Sequence, residues 1–193
     1  EAHFATVSAA STAQVLQACD QAAAAQRGWR KLTSIARGTH LHKLADALVA
    51  RSAQIGQALA QETGKSLQDA TDEAVYAAEV TRYHAEWARR IEGEIIPSDS
   101  PRENLMLHRE PMGVVACLIP FNYPVYTLLR KIAPALIAGN TVVVRPSNNT
   151  PISAFEIARA VQQAGRHEDD PRRAEPLERG PGVGDHRNRR QRE

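Results

Sequence analysis

Along the first half of the chain, apolar residues recur every three or four positions, the period of a helix that buries one stripe. Ser11-Thr12-Ala13-Gln14 has the S-x-x-Q form of a capping box, so a first helix is expected to begin there. Val15, Leu16, Cys19, Ala22 and Ala23 make its apolar face, and Gly28 ends it just before Trp29. A second helix is predicted from Ser34 to about Arg51, with Leu41, Leu44, Ala45 and Leu48 aligned. A third, short one carries Ile55, Leu59 and Ala60 and stops at Gly64. A fourth runs from Ser66 to about Arg90, with Ala70, Ala74, Ala77, Ala78 and Tyr83 on its apolar face and Trp87 one turn on, and Gly93 closes it.

Past residue 93 the period changes. Asn104 to Arg109 alternates, with Leu105 and Leu107 against polar neighbours, as in a half-exposed strand. Val114 to Ile119 and Thr141 to Val144 are unbroken apolar runs, as expected of parallel strands buried on both faces. Pro124 to Ala138 between them reads as a helical crossover, with a kink or break predicted at Pro134. Thr150 is placed to cap a last helix, with Pro151 at its first position, Ile152, Phe155, Ala158 and Val161 on its face and Gly165 at its end. Strand, helix, strand, helix with short links is a βαβα unit, so the fold class is α/β with a right-handed crossover and a Rossmann-like parallel sheet.

Composition narrows the function. With 193 residues and 42% in the AVILMFWYC class the chain is globular. Its 24 Lys+Arg against 22 Asp+Glu argue against a nucleic-acid binder. No apolar run reaches membrane-spanning length, and the first ten residues lack the pattern of a signal peptide. Two cysteines, Cys19 and Cys117, make no disulfide framework, which points to a reducing, cytoplasmic setting. Cys117 reads as a packed, inert thiol. His40 and His42 read as surface residues, and Asp69, Asp72 and Glu73 as a solvated helix face. No phosphate-binding glycine loop and no metal-ligand spacing is present, so no metal is expected.

Candidate chemistry sits beyond the carboxyl ends of the two apolar runs, where open parallel sheets bind ligands. The first ends in Ile119-Pro120-Phe121-Asn122-Tyr123-Pro124, where two prolines flank an amide able to donate to a developing oxyanion. The second ends in Arg145-Pro146-Ser147-Asn148, a cation with two polar side chains. Read with Pro111-Met112-Gly113-Val114-Val115, Lys131, Pro134-Ala135-Leu136, Gly139-Asn140 and Thr150-Pro151, these segments resemble the NAD(P)-dependent aldehyde dehydrogenase superfamily in order and spacing. Trp29, Glu62-Thr63-Gly64-Lys65 and the stretch from Tyr83 to Pro97 are similar in layout, and residues 85–96 look like the lactaldehyde dehydrogenase branch.

The resemblance implies roles. Asn122 matches the side-chain donor to the substrate oxyanion, so it is the catalytic candidate. Ile119, Pro120 and Phe121 match the segment along the nicotinamide, with Phe121 in place of the usual Trp. Arg145, Pro146, Ser147 and Asn148 match the adenosine site of NAD or NADP, with Arg145 replacing a Lys and Asn148 a Glu. The substrate class implied is a small-molecule aldehyde, oxidised to the acid after attack by a Cys thiolate. On this pattern residues 1–93 are the helical portion of a cofactor domain, 94–110 a bridging or oligomerisation hairpin, and 111–165 the βαβα unit. Full-length members are expected to form homo-oligomers.

The family's nucleophilic Cys and general-base Glu stand in contexts not found here, so an inactive N-terminal fragment is expected. After Gly165 the family pattern stops, and the last 28 residues hold eight Arg, seven Asp+Glu and only three apolar residues. That change reads as a truncated or frame-shifted product with a disordered tail over 166–193. The alternative is a non-catalytic interaction subunit that pairs with a full-length relative.

Overall fold

Four helices lead the chain: α1 (Thr12–Trp29), α2 (Ser34–Ala50), α3 (Ser52–Thr63) and α4 (Leu67–Ala85). They belong to a computed structural model that describes residues 5–166; the expected tail lies outside the described residues. Local chemistry sets most helix ends. Ser11 Oγ accepts from Gln14 N while Gln14 Oε1 accepts from Ser11 N, which is the expected capping box. Thr33 and Ser66 cap α2 and α4 through their hydroxyls. Gly64 takes φ 74° at the end of α3, a left-handed turn that suits glycine.

α4 is shorter than its sequence pattern suggests. It ends at Ala85, and Glu86–Arg89 continue as one 3₁₀ turn. Its inner face is the alanine stripe Ala70, Ala74, Ala77 and Ala78, all fully buried. Such small side chains let α2, α3 and α5 approach closely. Tyr83 and Trp87 do not complete that face; they are 57% and 38% exposed, and Thr81 and Ala85 are buried instead.

The hairpin β1 (Glu94–Ile96) and β2 (Leu105–Leu107) pairs Ile95 with Met106. It is exposed on both faces rather than half-buried, with Ile95 80% and Met106 63% exposed. β3 (Val114–Leu118) and β4 (Thr141–Arg145) pair in parallel, Cys117 opposite Val144 and Leu118 opposite Arg145. Only one face of this pair is packed. Val115, Cys117, Val142 and Val144 join the core, whereas Val114 and Leu118 stay exposed because α1 covers only part of the other face. The reading of β3 as buried on both faces is therefore wrong among the described residues. α1 touches the sheet through its second half, where Thr141 Oγ1 donates to Ala22 O at 2.8 Å. Its first turns run clear, leaving the expected face residues Val15 and Leu16 exposed.

The crossover helix α5 (Pro124–Ile137) passes through Pro134 without a break. The helical half holds both its ends. At the start, Glu73 Oε1 of α4 accepts from Val125 N and Tyr126 N at 3.0 and 3.1 Å. At the finish, Trp29 Nε1 donates to Leu136 O and Arg37 Nε to Ile137 O, each at 2.9 Å. An anion at the amino end and a cation at the carboxyl end both complement the helix dipole. Gly139, at φ 90°, then turns the chain into β4.

The last helix, α6 (Pro151–Arg166), turns the other way from its apolar pattern. Ser153, Glu156, Ile157, Ala160 and Ala164 are buried, while Phe155 and Val161 are 50% and 45% exposed. Glu156 holds an inner position because it has partners there. Arg51 Nη2 donates to Glu156 Oε2 at 2.5 Å, and Arg159 also reaches Glu156. Nor does the Thr150 hydroxyl cap α6; it is buried without a hydrogen-bond partner among the described residues. The Glu62 carboxylate of α3 accepts from Ile152 N and Ser153 N instead.

Helix α3 meets α4 at Gly56, where an added methyl carbon would stand 2.4 Å from Thr71 Oγ1 and 2.8 Å from Thr71 Cα. Alanine in a helix gains about 0.5–1 kcal/mol over glycine, but forcing a methyl into a packed contact costs about 1–3 kcal/mol. Gly56→Ala is expected to lower the urea midpoint of the chain, and Gly28→Ala, with open space around it, to leave it level or raise it. Equal midpoints for the two variants would contradict this packing.

Candidate functional site

The two strand ends meet because β3 and β4 are in register. The ladder runs one step past β3, with Ile119 N donating to Arg145 O at 3.0 Å. Ile119 is buried, and the chain then emerges through Pro120 and Phe121 to Asn122 and Tyr123, all exposed. Among the described residues, nothing hydrogen-bonds the Asn122 side chain, so its amide is free to donate.

Pro124 starts α5, and its missing N–H leaves no orphan donor at the first helical position. The next two N–H groups go to Glu73, and Thr127 N goes to Tyr123 O at 2.9 Å. The second Glu73 oxygen takes Lys65 Nζ at 2.5 Å. That ammonium also lies 3.8 Å from the centroid of the Tyr123 ring, a cation–π contact. Glu73 is thus not part of a solvated face: its side chain is 3% exposed and every oxygen is used.

From Asn122 a groove of about 690 Å³ runs between α4 and α5, lined among others by Lys65, Tyr76, Tyr123, Tyr126 and Arg130. Tyr76 stacks on Tyr126 with centroids 5.2 Å apart, and the Arg130 guanidinium sits 5.8 Å from the Tyr126 ring. The groove combines aromatic walls, the cations Lys65 and Arg130, the carboxylates of Asp69, Asp72 and Glu73, and a free amide.

On the β4 side, Arg145 Nη2 donates to Asn148 Oδ1 at 3.4 Å, a long hydrogen bond at the surface. Ser147 turns inward to its own loop: its Oγ accepts from Asn149 N at 3.2 Å and its carbonyl from Thr150 N at 3.2 Å. Pro146 is half-buried beside it. Both helix amino ends at this edge are closed by carboxylates, Glu73 on α5 and Glu62 on α6. Among the described residues a phosphate therefore finds neither of these two helix termini open, and Arg145 is an exposed cation at the end of β4.

Neither thiol is placed as a nucleophile on this edge. Cys117 is 1% exposed in β3, and burial pushes its thiol up, only partly opposed by the Lys131 ammonium. Lys131 itself donates to Leu118 O at 2.6 Å and so braces the strand end. Cys19 is half-buried on α1. Among the described residues, no group of three His, Cys, Asp or Glu side chains could hold a metal ion, and no helix is long and apolar enough to cross a membrane.

The aldehyde dehydrogenase family model matches residues 1–169. The chain belongs to the aldehyde dehydrogenase family. It is similar to lactaldehyde dehydrogenase of Escherichia coli, 41% identical over 149 residues that cover 77% of this chain and 31% of that protein. It is also 38% identical to an NADP-dependent glyceraldehyde-3-phosphate dehydrogenase of Streptococcus equinus, covering 83% of this chain and 35% of that one. Among solved structures, an aldehyde dehydrogenase of Brucella melitensis superposes with a TM-score of 0.78 at 37% identity, covering 80% and 32% of the two chains. A lactaldehyde dehydrogenase structure gives 0.76 at 41% identity, covering 78% and 31%. The chain thus spans about a third of the length of the relatives it matches.

The sequence reading missed Glu73 and Lys65. Lys65 stood in the quoted Glu62-Thr63-Gly64-Lys65 segment, which was a usable signal. Glu73 carried none, because its partners Val125 and Tyr126 lie 52 and 53 residues away.

Burial of Cys117 makes a pH-dependent prediction. Its thiol is held above its unfolded value, so its contribution is complete below about pH 8.5 and is lost as pH rises through the folded value. The urea midpoint is expected to fall above about pH 9, and Cys117→Val to flatten that fall. In the native chain iodoacetamide should label Cys19 well before Cys117. Equal labelling rates would contradict the buried thiol.

Proposed function

We propose that this chain supplies the oxyanion donor and part of the adenosine site of an NAD(P)-dependent aldehyde dehydrogenase acting on a small-molecule aldehyde. The observation that carries the reading is the free, exposed Asn122 amide in the loop after β3, with the Arg145–Asn148 turn after the neighbouring strand β4. As the aldehyde carbon is attacked, its oxygen gains negative charge, and Asn122 Nδ2 donates a hydrogen bond to it. Such a donor is worth roughly 10²–10³ in kcat when the geometry is right.

The cofactor, when bound, supplies the hydride acceptor. Ile119, Pro120 and Phe121 offer the apolar edge on its nicotinamide side, while Arg145, Pro146, Ser147 and Asn148 face its adenosine ribose. This assignment fits the residues present, since Arg145 is an exposed cation whose one side-chain partner among the described residues, Asn148, is held weakly. Relatives and neighbouring structures named as NADP-dependent or NADP-bound support it. The nucleophile and the base are not among this chain's residues, and residues 1–193 are inactive alone. The setting is cytoplasmic, and the exposed β1–β2 hairpin serves contacts between subunits in a full-length homo-oligomer. That same hairpin favours the second reading, a non-catalytic subunit that binds a full-length relative.

Purified residues 1–193 are expected to oxidise no aldehyde with either cofactor. A hybrid carrying residues 5–166 in place of the matching segment of the Escherichia coli relative should be active, and Asn122→Ala should cut its kcat about 10²–10³-fold with little change in KM. Turnover by the chain alone, or an Asn122→Ala hybrid of unchanged kcat, would overturn the reading.

The turn at residue 148 sets cofactor preference. A carboxylate there would face a 2′-phosphate, at a cost between about 1 and 4 kcal/mol at 4 Å. It would also draw Arg145 away from that phosphate. In the hybrid, Asn148→Glu should raise the KM for NADP about tenfold or more and that for NAD far less. An equal response to both cofactors means that position 148 does not read the ribose.

A further inference from the structure

Asn122 needs a fixed position to act as a donor, yet its own side chain is tied to nothing among the described residues. Whatever orients it acts through the backbone of residues 120–124. Pro120 and Pro124 restrict two φ angles, but they do not fasten the loop to the rest of the molecule. The fastening comes from α4 and from the turn before it. Glu73 binds the first two N–H groups of α5 through one oxygen and Lys65 through the other. Lys65 closes the circuit by lying over the ring of Tyr123, the residue next to Asn122.

We propose that Glu73 and Lys65 are positioning residues for Asn122: the carboxylate pins the start of α5 and the ammonium clamps Tyr123, so the donor loop is held from both sides. The proposal rests on the reading of Asn122 as the oxyanion donor. The chemistry of the cluster demands a carboxylate at 73. Two backbone donors and one ammonium converge on that side chain, so it must be acceptor-only. A glutamine could serve the helix or the lysine with its carbonyl oxygen, but its amide hydrogens would then face the other donors. Lys65 needs its charge as well, since an uncharged chain of the same length could not pair with Glu73 and would lose the cation–π attraction to the ring. A misplacement of about 1 Å in a catalytic group can cost about 10²-fold in rate, so slack in this loop would be felt directly in turnover.

Glu73→Gln and Lys65→Met in the full 193-residue chain test the idea by ¹⁵N relaxation and amide exchange. In the unaltered chain the Asn122 backbone amide should have an order parameter near 0.85, like the core of α5. In both variants it should fall below about 0.6, with far-UV circular dichroism unchanged. Val125 and Tyr126 amides should exchange at least about tenfold faster in Glu73→Gln, which is the loss of roughly 1.4 kcal/mol of protection. If Asn122 stays ordered in the folded variants, or if only Val125 and Tyr126 loosen, the prolines hold the loop and the proposal is overturned. Should Glu73→Gln fail to fold, Lys65→Met decides alone, because Lys65 is partly exposed and lies outside the core. No turnover is read here, so failure of the positioning role shows in this measurement, and failure of the oxyanion role shows only in the hybrid assays.

Discussion

Helix α5 is the member on which the rest of the structure depends, and it is held by charge and hydrogen bonds at both ends. Its amino end closes on Glu73 and its carboxyl end on Trp29 and Arg37. All three come from the helical half of the chain. The βαβα unit is therefore not a free-standing sheet with helices laid on it. Two parallel strands with one packed face cannot support themselves, and the helical half supplies both the missing core and the missing caps. α6 repeats the device with Glu62.

This arrangement explains which parts of the structure could be read from the sequence. The capping box at Ser11, the left-handed stop at Gly64 and the alanine stripe of α4 are local or periodic, so a single pass along the chain finds them. The inner face of α6 was misread because periodicity ranks Phe155 and Val161 above Ser153 and Glu156. A buried Glu156 makes sense only once Arg51 is known to lie beside it. The caps from Glu62 and Glu73 were hidden for the same reason: their partners are 52 to 91 residues away, and a glutamate on a helix looks solvated until its neighbour is seen.

The candidate site was legible to a different degree. Asn122 and the Arg145–Asn148 turn were found through strand ends and family resemblance, and each lies past the carboxyl end of one of the two paired strands, β3 and β4. The supporting layer was not legible. Lys65 and Glu73 touch the site only through backbone and ring, in contacts that no spacing rule encodes. Tyr83 and Trp87 show the converse error: Tyr83 lies within α4 on the face opposite Ala74, and Trp87 falls in the 3₁₀ turn after α4 ends at Ala85, so both stay outside.

The two carboxylate plugs have a consequence for how this scaffold can change. In many nucleotide-binding sheets one element both carries a helix and grips phosphate, so altering ligand choice disturbs packing. Here the amino ends of α5 and α6 are sealed from within. Under the proposed assignment, charge recognition then falls to the short surface turn at residues 145–148, where substitutions would retune the accepted nucleotide without loosening a helix. On that reading the scaffold separates evolvability of the cofactor preference from retention of the fold.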